Sequence, residues 1–333
     1  MKTELVPGRP LSPEIRNDWE RILRKIPHGN PFLSPLWVEV WLKHFGQFLE
    51  PKLLLFKGEN EDLQGIGHLL GTVEGKKKGL ILSGSRDVWD YRDFVIEPGL
   101  EGEAFTSLSL SLKNDSLDFI ELSSIAQFSP TAEVFPKVME SCGFRVSREM
   151  EETVINLSLP ATWEEFLETL NAKDRHELRR KIRRIEKEGP CELVRAADSS
   201  LLDEQMSLFL ELHRKSRRDK LEFMTAEMEA YFRDLAKELL KEGWLDLSFL
   251  RFQKKEIAAF FSFDFSETKF IYNSGYDPDF SWYSPGIVLS AYCIRGAIEK
   301  GIKGFNFLRG REDYKYHLGG REEANFRLRA EKA

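Results

Sequence analysis

The chain has 333 residues, enough for two domains of ordinary size, each with its own core. Apolar residues make up 41% and charged residues 31%, with a net charge of -6. That composition fits a soluble globular protein and argues against nucleic-acid binding by the chain as a whole, leaving room only for local basic patches. No uncharged apolar run reaches the length of a spanning helix, and the first residues, MKTELVPGRPLSPEIRNDW, lack the apolar core of a signal peptide. Cys142, Cys191 and Cys293 are odd in number and far apart, which predicts reduced thiols and a cytoplasmic protein. The six His have no Cys or carboxylate partner at ligand spacing, so no metal is expected.

Residues 1–150 read as a small α/β domain. Pro31 to Phe45 is an amphipathic helix whose Trp37 and Trp41, four apart, mark a core face. Lys52 to Phe56, Gly65 to Val73, Gly79 to Ser83, Asp90 to Ile96 and Leu117 to Ser123 read as strands, and Leu100 to Leu112 and Pro130 to Cys142 as helices. The one dense polar group, Asp90, Tyr91, Arg92 and Asp93, reads as a solvated loop.

Residues 151–333 are richer. After a strand from Thr153 to Leu159, Thr162 and Glu165 form a capping box ahead of one long helix. Its last part, Lys173 to Glu188, holds eight Lys or Arg against four Asp or Glu. Glu177 and Lys181 are spaced for an ion pair. Arg175, Arg179 and Arg183 share one face, which serves equally well as a solvent face or as a face for an anionic partner. A strand at Cys191 to Ala196 and two helices, Leu201 to Lys220 and Thr225 to Lys241, come next. Three strands then follow with tight polar connections, Leu245 to Phe252, Glu256 to Phe265 and Lys269 to Tyr276, as an antiparallel meander.

The meander leads into Ser284-Pro285-Gly286. Ser at the cap and Pro in the first turn start a helix that buries Ile287, Val288, Ala291, Ile294, Ala297 and Ile298 and stops at Lys300-Gly301. A strand, Gly304 to Leu308, and the polar run Arg309 to His317 complete the pattern. Where a strand ends and a helix starts, unpaired N–H groups and the helix dipole converge, and a Gly in the first turn lets an anion come close. The same three residues also serve as a plain helix start, so spacing alone leaves both readings open.

The order resembles the GNAT acyltransferase fold, and FIYNSGYDPDFSWYSPGIVLSAYCIRGAIEKGI with FNFLRGREDYKYHLGG resembles its CelD/BcsL branch, the cellulose-biosynthesis-type acetyltransferases related to the Fem aminoacyltransferases. The resemblance implies tandem GNAT-like domains, each a mixed, largely antiparallel sheet flanked by helices, with the first half degenerate. It implies acetyl-CoA or another acyl-CoA as donor and a small or nucleotide-linked sugar as acceptor in surface polysaccharide synthesis. In the Fem-like alternative the donor is an aminoacyl-tRNA. A third alternative is a non-catalytic binding or scaffold protein of a polysaccharide-synthesis assembly.

The resemblance implies that Tyr283, Ser284, Pro285, Gly286, Ile287 and Val288 hold the donor pyrophosphate, and Asn273, Gly275 and Tyr276 its carbonyl. It implies that Tyr314, with Tyr316 close behind, protonates the leaving thiolate and that Lys315 holds an anionic group. On the same resemblance Glu312, Asp313 or His213 is expected as the base, and Arg175, Arg179, Arg183, His213, Arg309 and Gly310 as the residues that meet the acceptor. Two positions depart from the family pattern: Tyr283 stands where Arg or Gln is usual, and Val288 where Gly or Ala is usual. A Val side chain there is expected to crowd the pyrophosphate.

Overall fold

The computed structural model describes residues 1–27, 29–195 and 199–332. The chain divides into two compact units: residues up to Thr153 together with those from Glu323 onward, and Val154–Glu322. The C-terminal strand groups with the first unit.

In chain order the first unit contains β1 (Lys2–Pro7), α1 (Pro13–Leu23), α2 (Pro35–Phe45), β2 (Pro51–Lys57), β3 (Leu63–Glu74), β4 (Lys77–Leu82), β5 (Val95–Ile96), α3 (Glu101–Asn114), β6 (Phe119–Ala126) and α4 (Pro130–Ser141). Strand β7 (Phe144–Ser158) leads into the second unit, which holds α5 (Trp163–Thr169), α6 (Ala172–Glu188), β8 (Cys191–Arg195), α7 (Leu202–Ser216), α8 (Arg218–Phe223) and α9 (Ala226–Lys241). It continues with β9 (Leu245–Phe252), β10 (Lys255–Phe265), β11 (Thr268–Tyr276), α10 (Pro285–Glu299), β12 (Gly304–Arg309) and α11 (Asp313–His317), and β13 (Arg321–Lys332) ends the chain.

The first unit's sheet runs β1-β2-β3-β4-β6-β13, with β5 on β3; the second unit's runs from the end of β7 through β12, β11, β10 and β9 to β8. Each unit follows one plan. A strand and helices precede a three-strand antiparallel meander, and a helix then crosses over to a strand parallel to the last of the three. Each sheet is mostly antiparallel and flanked by helices. The closing strand is exchanged in sequence: β13 closes the first sheet, and the end of β7 the second.

Local chemistry explains most elements. Thr162 and Glu165 form both halves of the capping box. Trp37 and Trp41 are buried, as their spacing predicts. The expected long helix from Thr162 is two helices, because Leu170 is extended and Asn171 caps α6 through Asp174 N–H. Likewise Arg217, at φ -162°, separates α7 from α8 where one helix was expected. The expected strand Asp90 to Ile96 is limited to β5, and Asp90 and Tyr91 are buried rather than solvated.

Under the second unit's meander lies a buried ion cluster. Lys269 is fully buried, donating to Asp246 Oδ2 at 2.6 Å and to Asp264. Burial alone would raise the Asp246 carboxyl, but Lys269 holds it at about 2. Among the described residues, Lys269→Met leaves Asp246 the Ser248 hydroxyl and the more distant cations Arg195 and Lys300, at 3.4 and 3.7 Å. The expected loss is about 3 kcal/mol of unfolding free energy, read by urea denaturation. An unchanged midpoint would contradict the pairing.

Candidate active site

The site begins where two parallel strands part. β11 and β12 pair only over Thr268–Phe270 and Gly304–Asn306. On its other edge β11 stays paired to β10 through Tyr276, with Tyr272 as the extra residue of a bulge, since Phe261 faces Asn273 and Ser262 faces Ile271. The β12-facing backbone of Asn273–Tyr276 is therefore left without a strand partner. Beyond the fork the chain of β12 turns away through two left-handed residues, Leu308 and Gly310.

A cavity of about 400 Å³ opens at this fork, lined by the end of β11, the start of α10, Glu312 and Tyr314, and on the far wall Ser216, Arg217 and Lys220. Gly275 both lines it and permits it. A Cβ there would lie 2.3 Å from His213 N and 2.4 Å from Leu212 C, so only Gly lets α7 pack this closely on β11. Gly286 is the opposite case: an added Cβ would meet nothing within 4 Å.

The helix start differs in detail from the sequence expectation. Ser284 does cap α10 by position, but in the left-handed region at φ 53°, and its side chain makes no capping bond. Instead its carbonyl accepts from Ile287 N at 3.0 Å and Val288 N at 3.1 Å. That leaves the Gly286 N–H without a partner among the described residues, with no acidic side chain in the first turn. Such a start favours an anion. Val288 does not crowd it: its side chain is fully buried in the core. Tyr283 packs on Phe252, ring centroids 5.2 Å apart, and Trp282 is 71% exposed. Neither fills the cavity. Pro285 and Ile287 line it, and Ile287 and Tyr314 also line a neighbouring cavity of about 510 Å³ bordered by Lys173, His176 and Lys181 of α6.

Around the polar motif, Tyr314 packs edge-on against Phe307, at 6.1 Å, with its ring at the cavity wall. Burial, and next the Glu312 charge, push its phenol above the usual range. Lys315 is buried and does not line the cavity. Its Nζ donates to Arg309 O at 2.7 Å and Gly310 O at 3.3 Å and pairs with Glu312 at 3.0 Å, so it fastens the loop that carries Arg309 and Gly310. Tyr316 donates to Glu322 Oε1 at 2.6 Å, and Asp313 is exposed at the start of α11; neither lines the cavity.

His213 and Asn273 form a buried pair, Nε2 to Oδ1 at 2.8 Å. Burial first, then the charge of Lys220, pushes the imidazole down to about 4, so it is neutral at pH 7. Asn273 Oδ1 also accepts Ser274 N–H, so it is the acceptor for His213 Nε2–H, and Nδ1 carries the lone pair.

Of the arginine stripe, Arg175 donates to Leu167 O at 3.4 Å, Arg183 to Arg179 O at 3.3 Å, and Arg179 is exposed; none lines a cavity described here. Glu177 does pair with Lys181, and with Arg180 as well. The arginine of α6 that reaches the site's supporting loop is Arg184, which donates to Trp282 O at 2.6 Å and lies 4.7 Å over its ring.

Lys220 is the cavity group that sequence reasoning missed. It closes the helix expected over Leu201 to Lys220, and nothing in its spacing signals burial. The break at Arg217 turns it inward, where Nζ donates to Ser274 O and, at 3.1 Å, to Ser274 Oγ. Burial first, then the Arg217 charge, pushes its ammonium down to about 8.

Comparison with known proteins agrees with this geometry. Residues 172–316 match the family model described as "Acetyltransferase (GNAT) domain". In structure the chain is similar to FemX, with TM-score 0.69 at 12% identity over 98% of this chain and 97% of that one. It is also similar to a conserved protein of unknown function from Bacteroides thetaiotaomicron, with TM-score 0.62 at 12% identity over 95% and 97% of the two chains. No curated protein matches the chain. Among the described residues no group could hold a metal ion and no helix is long and apolar enough to cross a membrane. Residues 172–316 thus resemble a GNAT acetyltransferase domain, and the chain is an acyltransferase.

Proposed function

We propose that the chain moves an acyl group, acetyl first, from acyl-CoA to the amine or hydroxyl of a sugar-linked precursor of a surface polysaccharide, in the cytoplasm. The observation that carries the donor is the open helix start beside the parted strands. Gly286 has an unpaired N–H and empty space where a side chain would be, and Val288 faces the core. Acyl-CoA supplies the thioester carbonyl to be attacked. The charged far end of the donor fits the neighbouring cavity, where Lys173, His176 and Lys181 offer cations and imidazole.

This chain's residues divide the proton work. Neutral Lys220 has two N–H groups, both taken by Ser274, and one lone pair left for the cavity. It accepts the proton as the acceptor nitrogen bonds to the carbonyl carbon. Ser274 N–H is already given to Asn273 Oδ1, so the β12-facing Tyr276 N–H stabilises the charge that develops on the carbonyl oxygen, roughly 3 to 4 kcal/mol for such a donor. As the C–S bond breaks, Tyr314 donates its proton to sulfur, and the proton taken from the amine restores the phenol. The neutral base is the form that works, so activity rises with pH to a plateau above about 8.

The test is release of free thiol from acetyl-CoA in the presence of amino sugars, from pH 6 to 10. Wild type is expected to show the acid limb near 8, and Lys220→Met to lose both the limb and about 100-fold in kcat. A variant that keeps the wild-type profile would remove Lys220 from the chemistry. Whole-chain fold likeness to FemX favours a second reading, an aminoacyl-tRNA donor, which predicts binding that weakens steeply with salt. Failure of both donors to bind would leave the scaffold reading.

A further inference from the structure

The first unit repeats the fork of the second. β4 and β6 run parallel over Gly79–Ile81 and Phe119–Glu121 and pair no further. A cavity of about 270 Å³ opens there, between the loop ahead of α3, the end of β6, the start of α4 and the chain that joins α1 to α2. Its topological place is that of the transferase cleft, yet its chemistry is reversed. The start of α10 has no acidic side chain, whereas the first turn of α3 carries Glu101 and Glu103, and Glu101 accepts Gly99 N–H at 3.0 Å. An anion is repelled at α3 where α10 attracts one.

Two buried acceptors line this cavity. Asn30 is 4% exposed, and its Oδ1 has no donor among the described residues. A buried unmet acceptor is costly, and a ligand donor would relieve it. Asp93 also lines the cavity, accepting Phe94 N–H at 2.7 Å and the Ser129 hydroxyl; burial pushes its carboxyl up to about 6 in spite of those bonds. Asp93 and Glu101 outweigh Arg92, the one lining cation among the described residues, which donates to Ser124 Oγ at 3.2 Å. Ile26, Leu33, Phe94 and the 42% exposed Phe128 make the remaining wall apolar and aromatic.

We propose that this cavity is a second binding site, which takes the ammonium group of a small ring-bearing amine on Asn30 Oδ1 and Asp93. The ring lies against Phe94 and Phe128, where an adjacent cation also gains from the aromatic faces. This site is independent of the acyl-transfer reading.

Calorimetric titration of the full chain with cyclohexylamine, cyclohexanol and cyclohexanecarboxylate tests it. The amine is expected to bind, the alcohol about ten-fold more weakly, and the carboxylate not at all. Asp93→Asn and Asn30→Leu should each weaken the amine at least ten-fold. Acetyl-CoA binding should stay unchanged in both. Absence of amine binding, equal affinity for the three probes, or undiminished binding in the variants would overturn the site. Should Asp93→Asn fail to fold, Asn30→Leu decides, since its Oδ1 has no partner in the protein to lose.

Discussion

Tyr314→Phe is expected to lower kcat by about 100-fold or more, the size of a lost general acid, with the KM for donor unchanged. Only the hydroxyl is removed. The ring keeps its edge contact with Phe307 and its place at the cavity wall, so thermal stability should hold. Because burial and Glu312 raise the phenol above its ordinary value, it keeps its proton through pH 10, and no alkaline limb should belong to it. Tyr316→Phe is the matched control. Its hydroxyl serves Glu322 away from the cavity, so turnover should stay within two-fold or so of wild type by the usual mildness of surface changes. If Tyr316→Phe were the damaging change and Tyr314→Phe silent, the acid would have to be reassigned.

These two tyrosines also show what a sequence can and cannot tell. The meander, the crossover helix and the strand after it were legible because each has a strong local cause: alternating apolar residues, tight polar turns, Pro285 in the first turn and Gly301, at φ 77°, after the last. The cavity's rim was legible for the same reason, since Gly286 and Tyr314 flank those elements. What escaped is long-range. Lys220 was only the last residue of an expected helix and Lys315 was expected to hold an anionic group, yet the first lines the cavity and the second is sealed under a loop. A helix break at Arg217 and the turn through Leu308 and Gly310 decide which is which, and the first has no Pro or Gly to announce it. Asp93 in the first unit is the same lesson in a loop: DYRD looks solvated until the Asn30 and Ser129 segments fold over it. The Ser284 cap failed more subtly. The residue type was right for a cap, but the turn needed a left-handed residue there, so the side chain points elsewhere.

Gly286→Trp is expected to abolish acyl-CoA binding, raising Kd by at least about 100-fold, because the indole occupies the open space beside the free N–H where a pyrophosphate would sit. The fold should tolerate it. An added Cβ meets nothing within 4 Å, and Gly286 is not among the positive-φ glycines, so an ordinary residue fits the backbone. Gly286→Ala sharpens the argument. With no strain to add, it should stabilise the chain by roughly 0.4–1 kcal/mol, through the unfolded state, while costing donor affinity only modestly. Calorimetry with acetyl-CoA and thermal unfolding of the same three proteins separates the cases. Loss of binding in the Trp variant alone, with all three folded, makes the helix start the donor seat. Wild-type affinity in the Trp variant would put the donor elsewhere and with it remove the reason to assign Tyr314 to the leaving sulfur. Weak binding in all three, wild type included, would direct the search to aminoacyl-tRNA.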